Sequence, residues 1–253
     1  MRRSLLALAL SSGILGAGAA MAAEAEVSLP NRDWSFEGIF GTYNRAELRR
    51  GYQVYSEVCS ACHSLKFVRY RNLQEIGFTE DEVKAIAESA TVIDGPGEDG
   101  EMFERPGRPS DAFVPPFPND QAAMAANGGA LPPDLSLMTK ARKGGPDYVN
   151  AILLGYVDPP ADVQIQPGLY YNAYFPGHQI AMPPPLSDDQ VTYEDGTPAT
   201  VAQMAHDVTV FLNWAAEPEL EVRKRTGVKT LLFLIVLTGM LYAAKRKIWA
   251  GVH

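Results

Sequence analysis

The stretch "NRAELRRGYQVYSEVCSACH", residues 44–63, contains the only two cysteines of the 253-residue chain, Cys59 and Cys62, and places His63 directly behind the second. Two thiols at this spacing occur in redox disulfides, in zinc sites and in covalent haem attachment. Features elsewhere in the chain distinguish these three kinds of site.

The same stretch predicts an α-helix that leads into the cysteine pair. Asn44 followed by Glu47 is typical of a capped helix start. Apolar and cysteine side chains then recur at helical spacing, namely Leu48, Tyr52, Tyr55, Cys59 and Cys62. Because residues three apart share a helix face, both thiols are predicted to lie on one side.

The surroundings of the motif favour covalent haem. A redox dithiol is expected at a helix start beside a parallel sheet, whereas this motif ends a predicted helix and no parallel sheet is visible. A structural zinc site needs four ligands, and the chain has no second cysteine pair and no histidines at paired spacing. Cys-x-x-Cys-His is the c-type attachment pattern, so one haem c is predicted, bound through Cys59 and Cys62 and ligated by His63.

The sixth position of the iron has several candidate ligands. They are Met102, Met124, Met138, Met182, Met204, His178 and His206. Met182 is favoured because Pro183, Pro184 and Pro185 stiffen the loop behind it, and a stiff loop loses less entropy when a weak thioether ligand binds. A methionine–histidine pair leaves no open iron position, which is typical of an electron carrier rather than a catalyst.

Both ends of the chain carry membrane-related signals. Residues 1–22 have a basic start, a short apolar run and small residues, which predicts a secretory signal peptide of bacterial style. Residues 223–253 contain an apolar run from Val228 to Ala244, long enough to span a bilayer as one helix. The signal peptide orients the chain, so a periplasmic domain is predicted for residues 23–222, with a short cytoplasmic tail and anchoring in the bacterial inner membrane.

The body between these ends is predicted to be mainly α, a cytochrome c-like haem domain with long irregular loops. Helices are expected over 79–89 and 146–154, and from Thr197 or Thr200 to a stop at Pro218. Dense prolines elsewhere indicate loops, which bury little apolar surface by themselves. A large apolar ring would give these loops a surface on which to pack.

Charge constrains the partners. The whole chain has 22 basic and 30 acidic residues, and removing Arg2 and Arg3 with the signal leaves a net charge of −10. Nucleic acid is therefore not expected as a partner, whereas a basic protein is. Eleven acids against three bases fall between Glu75 and Asp111. That stretch is either a solvated face or a docking surface.

Several longer motifs resemble one family. They are "SFEGIFG" (35–41), the cysteine stretch, "ALPPDLSLMTKAR" (130–142), "GLYYNAYFPGHQIAMPPPL" (168–186), "YEDGTPAT" (193–200) and "FLNWAAEPE" (211–219). In this order, and followed by one C-terminal membrane helix, they resemble cytochrome c1, the haem c subunit of ubiquinol–cytochrome c reductase. The resemblance covers nearly the whole mature chain.

The resemblance implies roles for particular residues. It implies Cys59 and Cys62 as thioether sites and His63 and Met182 as axial ligands. It further implies that Arg142 pairs with a haem propionate, and it matches Tyr148 to a residue lining the haem pocket. Some bacterial members have an extra cysteine pair near the methionine loop, which this chain lacks.

The resemblance also implies partners and a role. These are cytochrome b and a Rieske iron–sulfur protein in a dimeric membrane complex, with a soluble cytochrome c as electron acceptor. The chain would be no enzyme on its own. The alternatives are a membrane-anchored c-type cytochrome of another oxidase or dehydrogenase complex, a haem protein with an open iron, and a structural subunit. The identity of the acceptor and a respiratory or photosynthetic setting are not encoded in these motifs.

Overall fold

The computed structural model describes residues 27–252. The predicted signal peptide, residues 1–22, lies outside the described residues. Within them the chain is mainly helical, as predicted, with long loops between the helices and only two small antiparallel sheets.

The predicted first helix forms but ends before the cysteines. Helix α1 spans Arg45–Glu57, and the Asn44 side chain caps it by accepting a 3.0 Å hydrogen bond from the backbone N–H of Ala46. Cys59–Ala61 then form a 3-10 turn. The expectation that helical spacing extends through both cysteines was therefore wrong, because the backbone tightens from α to 3-10 geometry before Cys59.

The remaining elements follow in chain order. A long 3-10 helix spans Tyr70–Ile76, and helix α2 spans Glu80–Glu88 with a Thr79 capping box. Strands β1 (Thr91–Asp94) and β2 (Phe103–Pro106) form a hairpin, and helices α3 (Asp120–Ala126), α4 (Met138–Ala141) and α5 (Gly145–Leu154) follow. Strands β3 (Tyr170–Tyr171) and β4 (Gln179–Ile180) pair beside a 3-10 turn over Pro176–His178. Helices α6 (Val201–Ala216) and α7 (Leu220–Trp249) complete the chain.

The core lies where α1 packs against α6. Leu48 and Phe211 are fully buried there. The two helices approach so closely at Gly51 that a Cβ atom would lie 2.0 Å from the backbone carbonyl of Asp207. Arg50 also pairs with the buried Asp207 carboxylate at 2.8 Å, so an ion pair joins the same two helices.

Helix α6 begins at the later of the two predicted starts. The Thr200 hydroxyl accepts a 3.2 Å hydrogen bond from the backbone N–H of Gln203. Helices α2 and α5 also match the predicted segments within a residue. The β1–β2 hairpin had no counterpart in the sequence prediction.

Helix α7 is long and apolar enough to cross a membrane. It contains an 18-residue window of mean hydropathy 1.8, with none of that window buried, and it is the one such helix among residues 27–252. A solvent-facing helix of this composition needs an apolar environment. The helix extends beyond the predicted span of Val228 to Ala244 at both ends.

Candidate haem site

The 3-10 turn places the two cysteines for one shared ligand. The backbone N–H groups of Cys62 and His63 both donate to the carbonyl of Cys59, at 3.1 and 2.9 Å. In 3-10 geometry residues three apart eclipse each other. Cys59 and Cys62 therefore stand on one side of the turn, which suits two bonds to one ring edge.

The imidazole of His63 is fixed by a backbone carbonyl. Its Nδ1 lies 2.8 Å from the carbonyl oxygen of Pro133, a contact that sets Nδ1 as the protonated nitrogen. Burial lowers the pKa of His63, which favours the neutral ring. A neutral imidazole with its Nδ1 proton on a carbonyl presents the lone pair of Nε2, and this is the usual arrangement of a metal-ligating histidine.

Asp134 binds the Pro133 segment to the residues that follow His63. Its carboxylate accepts hydrogen bonds from the Ser64 hydroxyl at 2.7 Å and from the backbone N–H groups of Lys66 and Ser136, both at 2.9 Å. Partial burial opposes ionisation, but these donors outweigh it and lower the pKa of Asp134. The Asp134 carboxylate thus holds in place the Pro133 segment, whose carbonyl orients His63.

The cysteines lack the features of a redox pair or a zinc site. Burial raises the pKa of the Cys59 thiol to about 12, whereas redox dithiols and metal ligands need an accessible thiolate. Among residues 27–252 no group of three or more His, Cys, Asp or Glu side chains could hold a metal ion.

Met182 lies in the loop after β4, followed by three prolines. Its side chain is half-buried. The Tyr156 hydroxyl, just beyond the end of α5, donates a 3.0 Å hydrogen bond to the Met182 carbonyl. The loop is therefore restrained from two sides, by its own prolines and by a hydrogen bond from a distant segment.

Three of the rival axial ligands have packing partners of their own. His178 stacks on Tyr171 at 5.7 Å. His206 stacks on Trp34 at 5.1 Å, and its Nε2 lies 3.5 Å from a carboxylate oxygen of Glu47. Met204 is fully buried in the core.

Arg142 and Tyr148 lie on neighbouring elements. Arg142 caps α4 and is exposed, with Nη1 donating to the Ala141 carbonyl at 3.2 Å. Tyr148 is half-buried in α5 and packs against the core. One turn before Arg142, the Thr139 hydroxyl is buried with no hydrogen-bond partner among the described residues. A buried orphan of this kind is expected where a polar ligand group approaches.

Three contributors were not found from the sequence. The Pro133 carbonyl and the Tyr156 hydroxyl act across 70 and 26 residues of chain, respectively, and Asp134 acts across 70. The "LPPDL" segment offered a partial signal, because two prolines before an aspartate predict a rigid turn. Nothing local marked Tyr156.

The donor set fits covalent haem c. Two thiols lie on one side of a turn, and the histidine that follows them is oriented by a carbonyl, which fits the c-type attachment pattern. Apolar side chains near Pro133 add to this, since Leu131 and Leu137 remain 47% and 46% exposed and suit contact with an apolar ring. With one apolar C-terminal helix, fold and site define a membrane-anchored c-type cytochrome.

Comparison with known proteins narrows this class. The model of the Cytochrome C1 family matches residues 34–252. Cytochrome c1 of Rhodospirillum rubrum is 53% identical over 268 residues, covering 100% of this chain and 98% of the relative. Mitochondrial cytochrome c1 of Saccharomyces cerevisiae is 53% identical over 239 residues, covering 94% and 77%. Cytochrome b/c1 of Bradyrhizobium diazoefficiens is 52% identical over 246 residues, covering 88% of this chain but 36% of the relative.

The chain belongs to the cytochrome c1 family. Members carry covalent haem c, and the chain is accordingly a haem-carrying electron-transfer subunit of a bc1 membrane complex. The resemblance seen in the sequence motifs is thereby confirmed.

Proposed function

We propose that this subunit passes electrons from a Rieske iron–sulfur protein to a soluble cytochrome c, and that four residues hold its haem. Cys59 and Cys62 form the thioether bonds, and His63 and Met182 ligate the iron. The observation that carries the assignment is the 2.8 Å contact between His63 Nδ1 and the Pro133 carbonyl, since it orients Nε2 for a metal.

When bound, the haem supplies one-electron redox chemistry, and the residues of the chain set its conditions. His63 and Met182 would hold the iron, and a histidine–methionine pair would raise the potential and leave no open site for oxygen. The restraints on Met182 hold its loop in one conformation for that role. The subunit is therefore an electron carrier and not an enzyme on its own.

Arg142 and Tyr148 belong to the same proposal. Arg142 supplies a permanent cation for a haem propionate, and a paired propionate costs less to desolvate than a lone one. The orphan hydroxyl of Thr139, close behind Arg142 in α4, supports a polar ligand group beside this helix. Tyr148 contributes to the wall of the pocket from α5.

The ligand assignment is tested by two matched substitutions. Met182→Leu removes the proposed thioether ligand, so the midpoint potential of the haem should fall strongly. Met204→Leu makes the same chemical change in the core and should leave the potential near that of the parent, because Met204 is fully buried against α1. An unchanged potential in Met182→Leu would contradict the assignment.

The membrane arrangement is also a proposal. The haem domain lies on the periplasmic side of the bacterial inner membrane, α7 crosses the membrane once, and cytochrome b and the Rieske protein are the neighbouring subunits of a dimeric complex. The secretory pattern of residues 1–22 and the apolar α7 support this orientation. The name cytochrome b/c1 of one relative supports cytochrome b as a neighbour.

The acidic stretch from Glu75 to Asp111 contributes to docking of a basic acceptor. Part of its charge is neutralised internally, because Arg105 pairs with Asp94 at 2.5 Å and with Asp111 at 2.6 Å. The acids in the loop between β1 and β2 remain exposed, namely Glu98, Asp99 and Glu101. Exposed charges of this kind steer an oppositely charged partner and raise the encounter rate.

Ionic strength separates docking from mere solubility. Changing Glu98, Asp99 and Glu101 to their amides should slow reduction of a soluble basic cytochrome c at low salt. The rates should converge with the parent near 1 M salt, where the Debye length is about 3 Å. A matched control changes three other exposed acids, Asp158, Asp162 and Glu194, to amides. If the hairpin variant equals the parent at low salt, or if the control slows as much, this hairpin is not the docking site.

A further inference from the structure

An apolar loop tip is exposed at the base of the anchor helix. Residues 37–40, called here the anchor-side loop, include Ile39 and Phe40, whose side chains are 68% and 84% exposed. The residues on either side of the loop are core residues, since Phe36 and Tyr43 are buried. Ile39 and Phe40 are thus neighbouring apolar side chains that a buried segment exposes to solvent, and such a pair indicates a contact surface.

The loop has a fixed conformation. The backbone N–H of Thr42 donates to the Ser35 carbonyl at 3.0 Å, and that of Glu37 donates to the Trp34 carbonyl at 3.0 Å. A Cβ atom on Gly41 would lie 1.8 Å from the Glu37 carbonyl oxygen, so the turn closes tightly there. The exposure of the tip is therefore built into the fold.

Helix α7 holds the neck of this loop. The Lys224 ammonium donates to the carbonyls of Phe36 at 2.5 Å and Gly41 at 3.2 Å, one on each side of the neck. Slightly further back, the backbone N–H of Tyr43 donates to Glu221 at 2.8 Å. Tyr43 contacts Glu221, whereas Gly41, which is nearer the loop tip, contacts Lys224. The loop therefore runs toward the apolar part of α7 as it approaches its tip.

The membrane boundary lies close to these contacts. The apolar run begins at Val228, four residues after Lys224, which is about 6 Å along a helix axis. Interfacial segments bury their apolar side chains about 5–10 Å deep, between headgroups and acyl chains. Arg225, next to Lys224 in the chain, suits the anionic headgroups of a membrane surface, whereas Arg223 is paired with Glu217.

We propose that the anchor-side loop inserts Ile39 and Phe40 into the interface of the bilayer from which α7 emerges. The proposal rests on the proposed crossing of the membrane by α7. One crossing helix holds the haem domain to the membrane at a single place. A second contact, rigidly joined to the buried Phe36 and Tyr43, fixes the height and direction of the haem domain above the membrane.

Spin labels in the assembled complex test this depth directly. Phe40→Cys and, separately, Ile39→Cys are labelled with a nitroxide in the full-length chain and reconstituted in vesicles of mixed zwitterionic and anionic lipids. Collision rates with oxygen, which partitions into lipid, are compared with those of a water-soluble nickel chelate. Phe67→Cys is the matched aqueous control, because Phe67 is also 70% exposed. Leu234→Cys reports the anchor itself, and the parent complex gives the background.

The expected result is a several-fold lower nickel-to-oxygen collision ratio at positions 39 and 40 than at position 67, approaching the ratio at position 234. Labels at 39 and 40 that match position 67 would overturn the loop proposal while leaving the anchor intact. Labels shielded from both reagents would show that a neighbouring subunit covers the loop, which also overturns it. An aqueous ratio at position 234 would overturn the anchor and the loop together.

Discussion

Tyr156→Phe isolates one restraint on the proposed methionine ligand. The substitution removes a hydroxyl that donates a 3.0 Å hydrogen bond to the Met182 carbonyl and leaves the ring in place. Burial raises the pKa of Tyr156, so the hydroxyl remains a donor throughout the working pH range. The change therefore removes a restraint on the loop after β4 without altering any charge.

The size of the effect follows from the hydrogen bond. One neutral hydrogen bond contributes about 1 kcal/mol net. If the Met182 loop opens before an external ligand reaches the iron, losing this amount raises the open population about fivefold, since about 1.4 kcal/mol corresponds to a factor of ten. Binding of carbon monoxide to the reduced protein should become faster by the same factor.

The assay is the rate of carbon monoxide binding after rapid mixing with the reduced complex. Tyr52→Phe is the matched control, because Tyr52 lies among core aromatic rings and no hydrogen bond of its hydroxyl is found within residues 27–252. We expect about a fivefold acceleration in Tyr156→Phe and none in Tyr52→Phe. Equal rates in Tyr156→Phe and the parent would refute the reasoning that this hydroxyl restrains the ligand loop.

Three further predictions follow from the ion pairs and the anchor. Asp134→Asn should destabilise the protein near neutral pH. The pKa of Asp134 is lower in the folded protein than in the unfolded chain, where it is about 3.9. The ionised carboxylate therefore stabilises the fold above a pH of about 3.9, and this stabilisation disappears as pH falls through the folded-state pKa, so the thermal unfolding of parent and variant should converge in acid. A difference that does not depend on pH would contradict the assigned charge. Asp207→Ala leaves Arg50 with Asp195 alone and should lower the free energy of unfolding in urea by about 3 kcal/mol, the lower end for a broken buried pair. A loss under about 1 kcal/mol would show that the pair contributes no more than an exposed ion pair. A chain ending after Arg225 should be coloured and water-soluble, because two interfacial side chains hold a protein to a membrane far more weakly than a transmembrane helix does; if it still sediments with membranes after a high-salt wash, the anchor lies elsewhere.

Local sequence signals predicted five helices, namely α1, α2, α5, α6 and α7. The start signals of α1 and α6 lie within one helical turn of each start, so the sequence alone reveals them. The Cys-x-x-Cys-His motif is equally local. The 3-10 turn at Cys59 was missed because α and 3-10 geometry place residues three apart on nearly the same side.

Contacts between distant segments could not be predicted in this way. The orientation of His63 depends on the Pro133 carbonyl and the restraint of Met182 on the Tyr156 hydroxyl, and both depend on how the loops pack. The β1–β2 hairpin has only four residues per strand, and the strand sequences TVID and FERP do not alternate apolar and polar residues. The role of Lys224 in holding residues 36 and 41 was hidden for the same reason, since a basic residue before a membrane span is expected with or without such contacts.

The most direct test of the account is a visible reduced-minus-oxidised spectrum of the complex purified through this subunit, recorded during turnover. The account predicts a c-type band together with b-type bands, with the c-type haem reduced when quinol is added and reoxidised when oxidised soluble cytochrome c follows. A c-type band without b-type haem, or one that quinol leaves oxidised, would contradict the role of this chain as the haem-carrying electron-transfer subunit of a bc1 complex.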